Sequence, residues 1–491
     1  MLADPLVPLI RPAAPAPPLR PEGTLTVTPH FHTPDTRFAV DLGRLVAALP
    51  AGTVLTDPDR MGSYRWDRAN DPDAGTPLAV VRASSTEDVQ VVVRFAAEHG
   101  LPVVPRGAGS GLSGGASAVD GCLVVALERM QGIEVDPVTR TAVVEPGAFN
   151  AQVKAAAAEH GLWYPPDPSS YEICSIGGNV ATNAGGLCCV KYGVTTDYVL
   201  GLTVVLADGT AVVLGGPRLK DVAGLSLVKL FVGSEGTLGI VTRITLRLLP
   251  AQRAPSTLVA SFASIDDATQ AVLDMTRRMR PSMLELMDRT SINAVEDLTR
   301  MGLDRTSEAM LIVQSDEPEA YAAAEIAEIT TICEGNRATE VFSTSDVAQG
   351  EAFVVARRMA IPAVEQKGSL LLEDVGVPVP QLGALVRGIQ AISKARGVTI
   401  AVIAHAGDGN THPLIVFDPS DTDEAVRARL AYGEVMELAI ALGGTITGEH
   451  GVGRLKKPWL GAYLGADVLA LNLRVKAALD PQGILNPGSM L

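Results

Sequence analysis

The sequence predicts an α+β fold of two large domains behind a proline-rich arm. Three observations predict it. The chain has 491 residues, more than a single hydrophobic core comfortably organises. Its first half opens on a strand–helix–strand pattern and continues as short strands separated by tight turns. Its second half alternates strands with longer helices and ends on a helix. The 48 glycines and 33 prolines, with few aromatics, fit many tight connections better than a helical bundle.

Residues 1–34 carry nine prolines and no periodicity, so 1–36 reads as an extended arm. Residues 38–49 read as a short amphipathic helix ended by Pro50. The apolar run 78–81 reads as a buried strand. Ser84 with Glu87 forms a capping box that opens a helix through His99. Val89, Val92, Val93 and Ala96 give that helix its apolar face, and Gly100 ends it. Residues 101–105 are the next strand. Short strands follow at 123–127, 133–135, 142–145, 202–206, 211–214 and 240–248, and Asp208-Gly209 turns between two of them. A helix is expected at 150–160. The prolines at 250 and 255 mark a boundary, which divides 37–252 from 253–491. Beyond it, strands are expected at 258–262, 309–314 and 398–404, and helices at 265–278, 318–333, 422–442 and 466–479.

The formal net charge of −15 argues against a nucleic-acid partner. No run of about 18 apolar residues occurs, so no transmembrane helix is expected. No basic, then apolar, leader opens the chain, so no signal peptide is expected. The five cysteines, Cys122, Cys174, Cys188, Cys189 and Cys333, are odd in number and scattered, which fits a reduced, cytoplasmic protein. They cannot hold an iron–sulfur centre as a set of four clustered ligands, and Cys188-Cys189 reads as a pair of buried thiols.

Gly109, Gly111 and Gly114 match G-x-G-x-x-G, but no helix is expected after them, so a dinucleotide-binding βαβ turn is rejected. The run still suits phosphate. Gly107, Gly109, Gly111, Gly114 and Gly115 let backbone N–H groups converge on an anion, and Arg106 can add charge. A second segment pairs the stiff Pro165-Pro166-Asp167-Pro168-Ser169-Ser170 with Gly177-Gly178 and Asn183-Ala184-Gly185-Gly186. A third runs from Gly233 through Glu235, Gly236 and Ile240.

In order and spacing, these three segments resemble flavoproteins of the vanillyl-alcohol oxidase and p-cresol methylhydroxylase type. The resemblance implies a two-subdomain FAD-binding domain. Arg106, Gly107, Gly109, Ser110, Gly111, Leu112 and Ser113 would then hold the pyrophosphate. Pro166, Asp167, Ser170, Gly177, Gly178, Asn183, Gly185 and Gly186 would line the ribityl chain and the ring system. Glu235, Gly236 and Ile240 would lie near the adenine half. No histidine stands in the first run, so non-covalent FAD is expected.

Of seven histidines, His99 and His160 sit at expected helix ends, and His30 and His32 lie in the arm. His405 and His412 frame a glycine-rich turn after a strand, and His450 follows Glu449 in Thr-Gly-Glu-His-Gly-Val-Gly. Two histidines and a carboxylate make a divalent-metal set with an open position, suited first to zinc and also to manganese or iron. Such a metal would acidify a substrate hydroxyl, a neutral histidine would take its proton, and the flavin would take the hydride. A carboxylate on the substrate calls for a cation that can fork both oxygens, for which Arg357 is the candidate; Arg358 reads as a solvated neighbour.

The second half resembles the C-terminal domain of FAD-linked oxidases, a family that includes D-lactate dehydrogenases, D-2-hydroxyglutarate dehydrogenases and the flavin subunit of glycolate oxidase. The stretch Ala-His-Ala-Gly-Asp-Gly-Asn-Thr-His-Pro from Ala404 is most like the last of these. The resemblance implies an α+β substrate or cap domain over 253–491, with an antiparallel sheet and a C-terminal helical segment. It implies His405, His412 and Glu449 as metal ligands, His450 as the base, and Asn486 near the flavin. It also implies partner subunits or a quinone as electron acceptor, membrane association through those partners alone, and a homo-oligomer as one arrangement. Leu414 replaces an asparagine of the 2-hydroxyglutarate enzymes, and Ile361 and Leu372 replace their threonine and lysine. A less polar clamp favours a smaller acid, glycolate or D-lactate. The alternatives are D-2-hydroxyglutarate oxidation and a metal-free flavin oxidase of alcohols or phenols.

Overall fold

The computed structural model describes residues 40–491. The arm assigned to 1–36, with His30 and His32, lies outside the described residues, as do residues 38 and 39 of the first expected helix. Within the described part that helix is Gly43–Ala48.

The strand–helix–strand expectation forms the first sheet, in the order Val54–Leu55, Ala79–Arg82, Leu123–Ala126, Val103–Arg106. The last three strands are parallel and the first is antiparallel. Helix Thr86–His99 buries Val89, Val92, Val93 and Ala96, and Gly100 closes it at φ 63°. Its cap is one residue later than the sequence pattern indicates. Ser85, in extended backbone, accepts the Asp88 N–H, while Ser84 donates both its N–H and its hydroxyl to the Asp88 carboxylate. Asp88 is short enough to turn back into the first turn, and Glu87 is left exposed.

The second sheet is antiparallel, in the order Ile133–Asp136, Thr141–Val144, Ile240–Arg247, Val199–Val205, Ala211–Gly215. Ile240–Arg247 alternates buried and outward residues, as a half-covered strand must. The turn at Asp208-Gly209 is present, with Gly209 at φ 76°.

The third sheet carries eight strands, all antiparallel. Its central strands are Ala309–Ser315, Met283–Asp288, Thr399–His405 and Asn410–Phe417. Alternation along these strands builds two cores. Leu284, Leu286, Val402, Ala404 and Ile415 face a layer of helices that includes Ile265–Thr276, Glu319–Gly335, Leu382–Arg396 and Thr422–Ala441. Met287, Ile403 and Leu414 face the other way, toward Arg289–Thr299 and Ala360–Glu365. Each fully buried aliphatic side chain contributes about 1.5–3 kcal/mol, so both faces anchor the sheet firmly.

The last residues depart from the expected division at 252/253. Val103 N–H donates to Ile484 O and Asn486 N–H to Val103 O, both at 2.7 Å. The chain end therefore extends the first sheet, and residues 41–491 form one unit. Among the described residues, no helix is long and apolar enough to cross a membrane.

Candidate functional site

Strand Val103–Arg106 runs straight into the first glycine run, which lines a cleft of about 330 Å³. Arg106, Gly107, Gly109, Ser110, Gly111, Leu112, Ser113, Ser170, Gly177, Gly178, Glu235, Gly236 and Ile240 all face it. The glycines are required by space. A Cβ on Gly177 would lie 2.5 Å from the Pro146 side chain and 2.8 Å from its carbonyl oxygen. A Cβ on Gly109 would strike the Arg106 guanidinium. That guanidinium is committed to the backbone, donating to Trp66 O (2.9 Å) and Ser63 O (3.2 Å), so it frames the turn while bordering the cleft. A cleft walled by closely packed glycine backbone fits a flat, phosphate-bearing cofactor.

Six residues expected at the flavin do not line this cleft. Asp167 pairs with Arg358 (3.0 Å) and accepts the Cys188 N–H, and Pro166 O accepts from Asn150. Asn183 ends helix Ile176–Thr182 in a left-handed conformation, its side chain held by Thr196 N–H. Gly186 packs on the Asp167 backbone. Gly185 abuts Glu449 and faces a separate cavity of about 510 Å³. Asn486 donates to Gly115 O and Glu235 O, tying two cleft segments together from behind. These six shape the walls rather than the lining. Glu235, at φ 51°, sends both carboxylate oxygens to Val452 N–H and Gly453 N–H at 2.7 Å. It thereby locks the third glycine segment onto the loop that carries His450. Burial pushes its carboxyl up to about 6, against the pull of those two N–H groups.

The cleft ends on His412, Glu449, His450 and Arg357. The register of the third sheet assembles them. His405 ends one strand and His412 lies in the next; Ile403 opposes His412, so His405 and His412 share a face. Glu285 opposes His405 on the other neighbour. His405 Nε2 and His412 Nε2 each lie 3.2 Å from the same Glu449 oxygen, with their rings at 86°. His405 Nδ1 meets Glu285 at 2.7 Å. The other Glu285 oxygen lies 2.7 Å from Arg357 Nη2, but not in hydrogen-bond alignment, and Arg357 Nε is buried with no partner. Arg358 is stacked over Tyr171 and pairs with Asp167; it is not simply solvated.

Among the described residues, two overlapping sets could hold a metal: His405, His412 and Glu449, or Asp374, His412 and His450. The first fits. Its two Nε2 atoms converge on one carboxylate oxygen from nearly perpendicular rings. In the second, the His412 and His450 rings are stacked at 4.8 Å with only 13° between planes, so their in-plane lone pairs run side by side. Glu285, Asp374 and Glu449 also bring buried negative charge that a cation would balance. Burial alone would raise the Glu449 carboxyl, but His405 and His412 hold it well below the usual carboxylate range. Burial lowers His405, yet Glu285 and Glu449 outweigh it and raise its pKa. Burial dominates at His450 and pushes it down to about 4, which leaves its ring neutral near pH 7.

Sequence reading does not single out Glu285 or Asp374. Each is a carboxylate inside an otherwise apolar strand region, Met-Leu-Glu-Leu-Met-Asp and Leu-Leu-Leu-Glu-Asp-Val. That pattern is itself a signal, because a buried charge must have a partner.

A long glycine-lined cleft closed by an antiparallel sheet suits a flavin nucleotide, and comparison with known proteins gives the family. Residues 77–215 match the family model described as FAD binding domain, and residues 251–490 match FAD linked oxidases, C-terminal domain. The chain belongs to the FAD-linked oxidases and is an FAD-linked oxidoreductase. It is 41% identical over 417 residues to glycolate oxidase subunit GlcD of Bacillus subtilis, covering 84% of this chain and 89% of that one. It is 34% identical to a D-lactate dehydrogenase of Archaeoglobus fulgidus, covering 87% and 95%. In fold it is similar to p-cresol methylhydroxylase, with a TM-score of 0.77 at 17% identity, covering 91% and 96%.

Proposed function

We propose that the protein oxidises a small 2-hydroxy acid, glycolate or D-lactate, to the 2-oxo acid, with non-covalent FAD and a divalent metal. The observation that carries this reading is the convergence of His412, Glu449 and His450 beside a buried, partly unpartnered Arg357 at the closed end of the cleft. The names of the two relatives support the substrate class.

His405, His412 and Glu449 would hold the metal, zinc first and manganese or iron as alternatives. When bound, the metal supplies charge that acidifies the substrate hydroxyl, and FAD supplies the acceptor for a hydride. Arg357 binds the substrate carboxylate; Glu285 holds its guanidinium in place from behind. His450, neutral near pH 7, takes the hydroxyl proton at Nε2. The substrate thus loses one proton to His450 and one hydride to the cofactor, leaving a carbonyl. Ile361 borders the cleft on the Arg357 side, so the wall there is apolar where a second carboxylate would need a partner. This favours the smaller acids over 2-hydroxyglutarate. The word subunit in a relative's name supports electron transfer to partner subunits, through which the protein would reach a membrane quinone.

The test is anaerobic addition of glycolate, D-lactate, L-lactate and D-2-hydroxyglutarate to the flavin-loaded protein. Bleaching of the flavin band by glycolate or D-lactate within turnover time is expected. Reduction by D-2-hydroxyglutarate alone, or by none of the four with metal supplied, overturns the reading.

A further inference from the structure

The carboxylate of Asp374 is fully buried, and its two oxygens do different work. Oδ2 accepts from Thr447 Oγ1 (2.6 Å) and from three consecutive backbone N–H groups: Gly448 (2.9 Å), Glu449 (3.0 Å) and His450 (2.8 Å). Four donors on one oxygen fix the loop that presents Glu449 and His450. Oδ1 lies 3.7 Å from His412 Nδ1, and both atoms are buried with no other partner. Lys456 Nζ donates to the Asp374 backbone carbonyl and sits between the buried carboxylates of Glu373 (3.5 Å) and Asp374 (3.9 Å).

We propose that Asp374 is a positioning residue that sets the tautomer of His412 while fastening the 447–450 loop. The proposal rests on the metal reading above. An acceptor facing Nδ1 selects the Nδ1–H form of the ring, either directly after a small closure or through one bridging water. With a cation held by Nε2 and Glu449, whose atoms lie 3.2 Å apart, the Nε2 lone pair is then left to bind it. Glu285 stands behind His405 Nδ1 more closely, at hydrogen-bond distance (2.7 Å). Each histidine of the metal set thus has its own carboxylate behind it, a second layer that fixes ring orientation and raises ligand basicity.

Asp374→Asn separates the two roles. The four donors require an oxygen at the Oδ2 position, so the amide nitrogen must face His412. Nδ1 then has to accept, the proton moves to Nε2, and the lone pair aimed at the metal position is lost. The experiment has two readouts on the flavin-loaded protein. One is zinc and manganese affinity by chelator competition; the other is the His412 ring tautomer from ¹⁵N shifts in the zinc-loaded protein. The expected results are Nδ1–H in the wild type, Nε2–H in Asp374→Asn, and metal affinity lower by about 10- to 100-fold with flavin content unchanged. Equal metal affinity in the two proteins overturns the proposal, as does an Nε2–H tautomer in the wild type. If the wild type binds neither metal, the metal reading fails, and the proposal that rests on it fails with it. The wild-type tautomer decides the proposal if the variant does not fold.

Discussion

The two ends of the cleft are built from opposite materials. The flavin end is made of backbone: glycines at 107, 109, 111, 177 and 178 leave room, and few side chains intrude. The other end is made of side chains: two histidines, a glutamate and an arginine, backed by His405 and the buried carboxylates of Glu285 and Asp374. A backbone site fails when atoms are added. A side-chain site fails when an atom or a charge is removed. Variants at the two ends should therefore dissociate cofactor loading from turnover.

The largest effect is expected at Glu449, whose single oxygen lies 3.2 Å from both His405 Nε2 and His412 Nε2. Glu449→Gln removes the charge with little change of shape. Loss of several kcal/mol of transition-state stabilisation, about 10³-fold or more in kcat, is expected, while the protein stays yellow. Stopped-flow reduction and the flavin-to-protein ratio measure both. If the variant also loses its flavin, the two ends are not independent.

Arg357→Lys should cost less. Lysine keeps the charge but not the fork, and it leaves Glu285 with a poorer partner in a fully buried setting. A loss of about 2–3 kcal/mol, roughly 30- to 150-fold in kcat/KM, is expected for a 2-hydroxy acid. A neutral alcohol substrate should lose much less. An equal loss on both would place the effect in the fold and not in carboxylate binding.

At the backbone end, Gly177→Ala is expected to push helix Ile176–Thr182 away from Pro146. Overpacking of this kind costs about 1–3 kcal/mol, so FAD affinity should fall by about 10-fold or somewhat more. Metal affinity should not change. Fluorescence recovery on dilution of the flavin-loaded protein gives the first, and chelator competition the second.

The same contrast governs what the sequence discloses. Crowded glycines have few explanations, so the cleft segments stand out before any fold is known. The His-x₆-His spacing likewise stands out, because a hairpin returns both rings to one face, although the turn alone does not reveal that both histidines lie in strands. Glu285 and Asp374 are invisible in motif form, and Glu235 stands out only as a member of a glycine segment. Their meaning depends on a neighbour 120, 38 or 217 residues away, at His405, His412 and Val452 respectively. Likewise, Asn183, Gly185 and Gly186 look like lining because glycine and asparagine permit tight backbone. Only the fold shows that this tightness serves packing on Asp167 and Glu449. Local chemistry is legible in sequence; long-range pairing of buried charge is not.

The smallest effect sharpens the comparison from the backbone end, where the carboxylate of Asp67 intrudes. Asp67 is 3% exposed, borders the cleft and accepts the Ala69 N–H at 3.1 Å. Burial pushes its carboxyl up from 3.8 to about 6, although N–H groups of Ala69 and Ala116 and the Arg106 charge oppose it. The folded protein therefore holds a proton that the unfolded chain has already released. Its contribution to stability is fullest below pH 4, falls as the pH rises from about 4 to about 6, and stays constant above that. The displacement corresponds to at most about 3 kcal/mol. Asp67→Asn keeps an acceptor for Ala69 and removes the titration. Its apparent Tm should exceed that of the wild type at pH 7.5, and the gap should close as the pH falls below about 4. A gap that does not change with pH would mean that Asp67 is held ionised by its N–H donors across the whole range. The backbone end would then tolerate a buried charge as readily as the histidine end does.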